Sequence, residues 1–215
     1  MRHRTVQALE DSGAIAIIRM DDTDTLMETI AAIREGGLSA IEITMTTPDA
    51  LSAIEEASAA FADDPAVHLG AGSVLDGPTA RQAILAGAEY VVSPALKAEM
   101  IEMCHRYDVP AIPGAFTPTE VQRAHELGAD VVKVFPASAM GPSYFGALQG
   151  PMPHVKLMPT GGVSLDHAGQ WIEAGARVVG VGSALLDEQA IAAGDFDQIT
   201  DNARALRQSI EDARP

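Results

Sequence analysis

Eight short apolar runs, rich in β-branched residues, alternate along the chain with longer segments of helical periodicity. The runs are AIAIIR (14–19), AIEIT (40–44), VHLGAGS (67–73), EYVVSP (89–94), VPAIPG (109–114), DVVKVFP (130–136), HVKLMPTG (154–161) and RVVGVGS (177–183). The intervening segments, such as DTLMETIAAIREGG and TEVQRAHELGA, place apolar residues three or four apart, which is typical of amphipathic helices. Eight such units predict an α/β protein, a single (β/α)8 TIM barrel over residues 1–215.

An open, doubly wound parallel sheet is the alternative architecture. Such a sheet usually carries a glycine-rich dinucleotide fingerprint after its first strand. The segment AIIRMDDTDT has none, so the barrel is favoured. A length of 215 residues suits one domain of this kind, and no linker or low-complexity segment suggests a second.

The charge balance excludes several classes of partner. The chain has 30 acidic and 14 basic residues, a formal net charge of −16, so it should repel nucleic acid and anionic membranes. Scarce lysine with abundant carboxylate favours a salt-rich cytoplasm, although a merely acidic enzyme is the alternative. No apolar run approaches the roughly 18 residues that a spanning helix needs, and the first residues lack the apolar centre of a signal peptide, so we expect a cytoplasmic protein.

Proline and threonine pairs mark two predicted helix starts. Thr47-Pro48 and Thr117-Pro118 each place a capping hydroxyl before a proline at the first helical position, and Thr117 with Glu120 matches a capping box.

The most informative single residue is Lys133, in the middle of the sixth run. Strand alternation puts Val131, Lys133 and Phe135 on one face of this strand, and in a barrel that face can point to the axis. A lysine amine held away from water is more readily neutral, and a neutral amine can attack a carbonyl to form a Schiff base. Of the other lysines, Lys97 should be solvated and Lys156 should lie low in the barrel, because active sites form at the carboxyl ends of the strands.

Glu42, in the apolar second run, is the obvious partner of Lys133. The pair could be a buried structural ion pair, or it could supply acid/base chemistry, which needs two titratable groups in complementary roles. The sequence favours catalysis.

Two glycine-bearing loops predict an anion site. Thr160-Gly161-Gly162-Val163 and Gly182-Ser183-Ala184 follow the seventh and eighth runs, where barrels commonly bind phosphate through backbone N–H groups. We expect no metal and no cofactor: Cys104 is the only cysteine, and the six histidines show no ligand spacing.

Seven landmarks in order resemble the 2-keto-3-deoxy-6-phosphogluconate (KDPG) aldolases and the related 2-dehydro-3-deoxy-6-phosphogalactonate (KDPGal) aldolases. They are IEIT (41–44), LGAGSVLD (69–76), VVSPAL (91–96), IPGAFTPTEV (112–121), VVKVFPAS (131–138), MPTGGV (158–163) and VGSAL (181–185). The resemblance implies a class I, metal-independent aldolase of the Entner-Doudoroff pathway that cleaves a phosphorylated keto-deoxy sugar acid to pyruvate and glyceraldehyde 3-phosphate. It also implies a homotrimer.

The resemblance further implies roles for individual residues. Lys133 matches the Schiff-base lysine and Glu42 the general acid/base. Substrate-binding positions are matched by Ser73, Pro94, Thr160, Gly161, Gly162, Gly182 and Ser183.

One departure leaves the sugar epimer open. Gluconate enzymes often carry an arginine where this sequence has Thr46, whereas the galactonate type carries one where this sequence has Arg19. Arg19 is therefore a candidate for the anionic end of the substrate, with a surface ion pair as its alternative role. We expect KDPG cleavage, with KDPGal cleavage as the nearest alternative. An epimerase, a thiamin-phosphate synthase-like protein or a non-catalytic phosphosugar sensor are more distant ones.

Overall fold

Parallel strands and helices alternate along the chain in the computed structural model, which describes residues 1–21 and 23–214. The strands are β1 (Ala14–Ile18), β2 (Ala40–Thr44), β3 (His68–Gly72), β4 (Tyr90–Val92), β5 (Ala111–Ile112), β6 (Gly114–Ala115), β7 (Val132–Val134), β8 (Leu157–Pro159) and β9 (Val179–Val181). Each apolar run of the sequence contains a strand, and β6 begins at the last residue of the fifth run. The predicted α/β class with parallel strands is confirmed.

Ten α-helices in the described part of the chain surround the strands. They are α1 (Arg2–Ser12), α2 (Leu26–Glu35), α3 (Ala50–Ala60), α4 (Gly77–Leu85), α5 (Ala98–Arg106), α6 (Pro118–Glu126), α7 (Pro142–Gln149), α8 (Ala168–Glu173), α9 (Glu188–Ala193) and α10 (Phe196–Ala213). A single 3-10 turn covers Ala137–Ala139. None of these helices is long and apolar enough to cross a membrane.

The strands form two parallel sheets. One has the order β5-β4-β3-β2-β1-β9 and the other β6-β7-β8. Only Pro113, which has no backbone N–H, separates β5 from β6, and an isolated parallel bridge joins Thr160 after β8 to Gly180 in β9.

Two apolar clusters lie on the two faces of the strands. The larger joins residues such as Ile41, Val132 and Val134 to the surrounding helices. The smaller lies on the opposite face, which we call the inner face. It contains Leu9, Ile15, Ala40, Tyr90, Val92, Ile112, Val131, Met158 and Val178. Because side chains alternate along a strand, strands such as β1, β4 and β8 contribute to both clusters.

Helix α1 covers the end of the inner face at which the strands begin. Leu9 of α1 joins the inner cluster, and Glu10 forms an ion pair with Lys156, just before β8. Lys156 therefore lies at the amino end of the strands, as predicted. The loops that follow the strands lie at the opposite end of the inner face.

One of the two predicted helix starts is correct. Thr117 caps α6 in a complete capping box with Glu120. The prediction for Thr47-Pro48 is wrong, because α3 begins at Ala50 after Asp49. Thr47 instead donates its backbone N–H to the carbonyl of Thr44, in the turn that ends β2.

Candidate active site

Lys133 lies on the inner face of β7. Its neighbour Val131 belongs to the inner cluster, whereas Val132 and Val134 pack toward the helices, so the alternation directs Lys133 inward. The side chain is buried, with 6% of its surface exposed. Its Nζ lies 5.2 Å from the centroid of the Phe135 ring, a cation–π contact at the end of the same strand. No carboxylate of the described residues forms an ion pair with this amine.

Glu42 lies on the inner face of β2 and is almost fully buried, with 1% exposed. A Cβ added to Gly72 of β3 would lie 1.7 Å from Oε1 of Glu42 and 2.4 Å from Cδ. The carboxyl group therefore occupies the space that a side chain at Gly72 would need. Within the described residues, neither carboxyl oxygen has a hydrogen-bond partner.

The surroundings of Glu42 favour its protonated form. Burial raises the pKa of this carboxyl above its ordinary value, because the charged form loses its hydration. The positive charges of Lys133 and Arg19 offset part of this effect. A carboxyl group whose pKa is raised can act as a proton donor as well as an acceptor.

Lys133 and Glu42 face the same interior without forming a direct ion pair. Each influences the other electrostatically, yet no Nζ-to-carboxylate distance falls within 4.0 Å. A structural ion pair needs direct contact, since only contact compensates for the loss of hydration. The geometry therefore disfavours the structural alternative and leaves both groups free to contact a third molecule.

Three glycines of the inner face make room for polar side chains from neighbouring strands. Gly72 accommodates Glu42, as described above. A Cβ added to Gly70 would lie 2.3 Å from the Tyr90 ring, and one added to Gly180 would lie 2.5 Å from the Thr160 hydroxyl oxygen. Tyr90 and these glycines were not predicted from the sequence, although strand alternation places Tyr90 on the same face as Val92.

The other predicted substrate positions follow the ends of the strands. Arg19 comes directly after β1, is exposed, and forms no ion pair with the described residues. Ser73 follows β3 with a left-handed backbone, φ 58°, a strained conformation that is concentrated at functional sites. Pro94 is half-buried, and its carbonyl would lie 2.3 Å from a Cβ on Gly114, so the two strand ends approach closely.

The two predicted phosphate loops lie at this same end of the strands. Gly161 and Gly162 both have positive φ, 86° and 82°, which favours glycine. The carbonyl of Gly161 accepts a hydrogen bond from the N–H of Ser138. In the second loop, Gly182 is half-buried and Ser183 is exposed.

The described residues contain no group of three or more histidine, cysteine, aspartate or glutamate side chains that could hold a metal ion. Cys104 is a buried core residue, and burial raises the pKa of its thiol to about 12.

Comparisons with known proteins identify the family of the chain. A family model described as "Aldolase: KDPG and KHG aldolase" matches residues 6–202. A 2-dehydro-3-deoxy-phosphogluconate aldolase of Treponema pallidum is 37% identical over 196 residues, which cover 90% of this chain and 91% of that protein. A 2-dehydro-3-deoxy-6-phosphogalactonate aldolase of Escherichia coli K12 is 30% identical over 198 residues, covering 92% and 96% respectively.

The fold is also similar to that of a solved aldolase. The crystal structure of KDPG aldolase from Legionella pneumophila, with pyruvate captured as a covalent carbinolamine intermediate, has a TM-score of 0.86 and 28% identity. The match covers 94% of this chain and 97% of that one. With the family model and the two relatives, this likeness establishes that the chain belongs to the KDPG and KHG aldolase family, whose members are aldehyde-lyases.

Proposed function

We propose that this chain is a class I aldolase that cleaves 2-dehydro-3-deoxy-6-phosphogluconate to pyruvate and glyceraldehyde 3-phosphate, in an Entner-Doudoroff-type pathway. The observation that carries the proposal is the buried amine of Lys133, which shares the inner face with Glu42 and forms no ion pair with any carboxylate of residues 1–21 and 23–214. The phosphogalactonate epimer is the second candidate, because named relatives of both kinds match the chain over most of its length.

The first half of the reaction attaches the substrate to the enzyme. The neutral amine of Lys133 adds to the C2 ketone and forms a carbinolamine. Loss of the C2 oxygen as water then gives an iminium ion. Glu42 supplies the proton that leaves with this water and is itself left ionised. The capture of pyruvate as a carbinolamine in the Legionella pneumophila enzyme supports this sequence of steps.

The second half breaks the carbon–carbon bond. Glu42 takes the proton of the C4 hydroxyl, the C3–C4 bond breaks, and its electron pair moves through the enamine to the iminium nitrogen. Glyceraldehyde 3-phosphate leaves with C4 as its aldehyde carbon. Protonation of the enamine at C3 and addition of water at C2 release pyruvate and restore the free amine. The raised pKa of Glu42 suits it to both directions of proton transfer.

The loops at the carboxyl ends of the strands would hold the substrate. Gly161, Gly162, Gly182 and Ser183 would bind its phosphate through backbone N–H groups. Ser73, Pro94 and Thr160 would line the keto-acid end beside Lys133. We assign Arg19 to an anionic end of the substrate, since its guanidinium is exposed and forms no ion pair with the described residues.

We further infer that the two sheets are arcs of one closed (β/α)8 barrel, formed by residues 1–215 as a single domain. The break at Pro113 and the bridge between Thr160 and Gly180 support this inference, because they lie at the two junctions between the sheets. We also retain the proposals that the enzyme is a homotrimer and that it works in a salt-rich cytoplasm, where ions screen a net charge of −16.

A coupled assay on both epimers tests the proposed function. Pyruvate released from each epimer is followed with lactate dehydrogenase and NADH, using wild type, Lys133→Ala and the matched control Lys97→Ala. We expect wild type and the control to release pyruvate and Lys133→Ala to release none. The epimer with the higher kcat/KM is the physiological substrate class. Equal activity of Lys133→Ala and wild type, or no cleavage of either epimer, would reject the proposal in favour of another phosphosugar enzyme or a sensor.

A further inference from the structure

Tyr90 is the largest fully buried side chain that the reaction scheme does not use. It lies on the inner face of β4, and its hydroxyl has no hydrogen-bond partner within residues 1–21 and 23–214. A buried tyrosine normally pairs its O–H group, because an unsatisfied polar group in the interior costs free energy. The position of this hydroxyl therefore needs an explanation.

The strand register points the phenol toward Glu42. Gly70 of β3 pairs with Glu42 of β2 on one side and with Tyr90 of β4 on the other, so the three residues lie at one level. A Cβ on Gly70 would lie 2.3 to 2.5 Å from ring atoms Cε2, Cζ and Cδ2 of Tyr90. The ring therefore crosses β3 over its glycine, in the direction of β2. A tyrosine side chain spans more than one inter-strand spacing of about 4.8 Å.

The two unpaired groups are chemically complementary. The Glu42 carboxylate has acceptor oxygens without a partner, and the Tyr90 phenol has a proton to donate. Burial, followed by the negative charges of Glu42 and Glu89, raises the pKa of Tyr90 well above its ordinary value, so the phenol keeps its proton at neutral pH. The positive groups that act on Glu42 are Lys133 from β7 and Arg19 from the end of β1.

We propose that Tyr90 is a positioning residue for Glu42, whose carboxylate accepts a hydrogen bond from one enclosed water that in turn accepts a hydrogen bond from the Tyr90 hydroxyl. This contact fixes the carboxylate above Gly72 and stabilises its ionised form. The inference rests on the proposed function, since it assigns Tyr90 a part in setting the protonation state of the catalytic acid/base.

The test is the pH dependence of kcat/KM in Tyr90→Phe, which keeps the ring over Gly70 and removes only the hydroxyl. A donor to the ionised carboxylate lowers its pKa, so loss of the donor raises that pKa. Because Glu42 must carry a proton to release water from the carbinolamine, we expect the basic limb of the profile to move upward by about one pH unit, which is a gain of roughly tenfold at pH values above the limb. The KM for substrate should stay at its wild-type value.

Tyr107→Phe is the matched control. Its hydroxyl accepts a hydrogen bond from Arg81 at the surface, so removal should leave the pH profile unchanged. Gly70→Ala is a second variant: it keeps the phenol but its Cβ would displace the ring, and it should produce the same upward shift. The carboxyl ¹³C chemical shift of Glu42, followed by titration, reports the same pKa change without any assay of turnover.

The possible outcomes distinguish a failure of the proposed aldolase function from a failure of the role assigned to Tyr90. Absence of aldolase activity in the wild type rejects the proposed function. An active wild type whose kcat/KM profile and Glu42 titration coincide with those of Tyr90→Phe overturns the role of Tyr90 alone.

Discussion

Replacement of Gly72 by alanine displaces the catalytic carboxylate without changing any group that reacts. Gly72 has an ordinary strand conformation in β3, so the backbone accepts alanine. The new Cβ would lie 1.7 Å from Oε1 of Glu42, whereas real contacts of this kind stay above 3.0 Å. The oxygen must therefore move by at least about 1.3 Å, and a displacement of about 1 Å in a catalytic group lowers the rate by roughly 10²-fold.

The coupled pyruvate assay and a double-mutant cycle measure this effect. Gly72→Ala should lower kcat by about 10²-fold, and in the Glu42→Gln background the same change should cost little more, because both act on one side chain. Gly146→Ala is the matched control, since its added Cβ would meet no atom within 4 Å other than its chain neighbours and the backbone of its own helix. A folded Gly72→Ala enzyme with wild-type kcat would show that the position of the Glu42 carboxylate does not control the rate. Losses that multiply in the double variant would show that Gly72→Ala does not act through Glu42.

Three further predictions concern stability and binding. In thermal denaturation at pH 7, the melting temperature of Glu42→Gln should be about 2–4 °C higher than that of the wild type. In the wild type, folding raises the pKa of the Glu42 carboxyl, so the ionised group lowers the free energy of unfolding at pH values above its ordinary pKa of 4.5. The advantage of glutamine should therefore vanish as the pH falls toward 4.5. An unchanged difference between pH 4 and pH 8 would contradict this sign. With a net charge of −16, the wild type should melt at a higher temperature in about 1 M KCl, where the Debye length is about 3 Å, than at low salt; a salt-independent melting temperature would rule out the saline adaptation. Arg19→Ala should raise the KM by about tenfold or more with a smaller change in kcat. An unchanged KM would show that Arg19 does not bind the substrate.

The order of elements and the position of Lys133 could be predicted from the sequence because both follow from local periodicity. Each of the eight apolar runs contains a strand, and the alternation of Val131, Val132 and Lys133 correctly separates the inner face from the helix-covered face. The capping box at Thr117 is likewise local.

The features that were missed depend on neighbouring strands or on competing local bonds. Thr47 does not cap α3, because its backbone N–H is bound to the carbonyl of Thr44 in the turn after β2. Asp49 instead occupies the N-cap position of α3. The places of Glu42 over Gly72 and of Tyr90 over Gly70 depend on the register of three strands. One strand's sequence does not specify that register.

Covalent trapping tests the central claim most directly, because the chain has only three lysines, Lys97, Lys133 and Lys156. Incubation with pyruvate and borohydride reduces an imine to a stable secondary amine, and peptide mass spectrometry locates it. The account predicts one reduced pyruvate per chain, on Lys133. Modification of Lys97 or Lys156 instead, or an unmodified chain after full incubation, would contradict it.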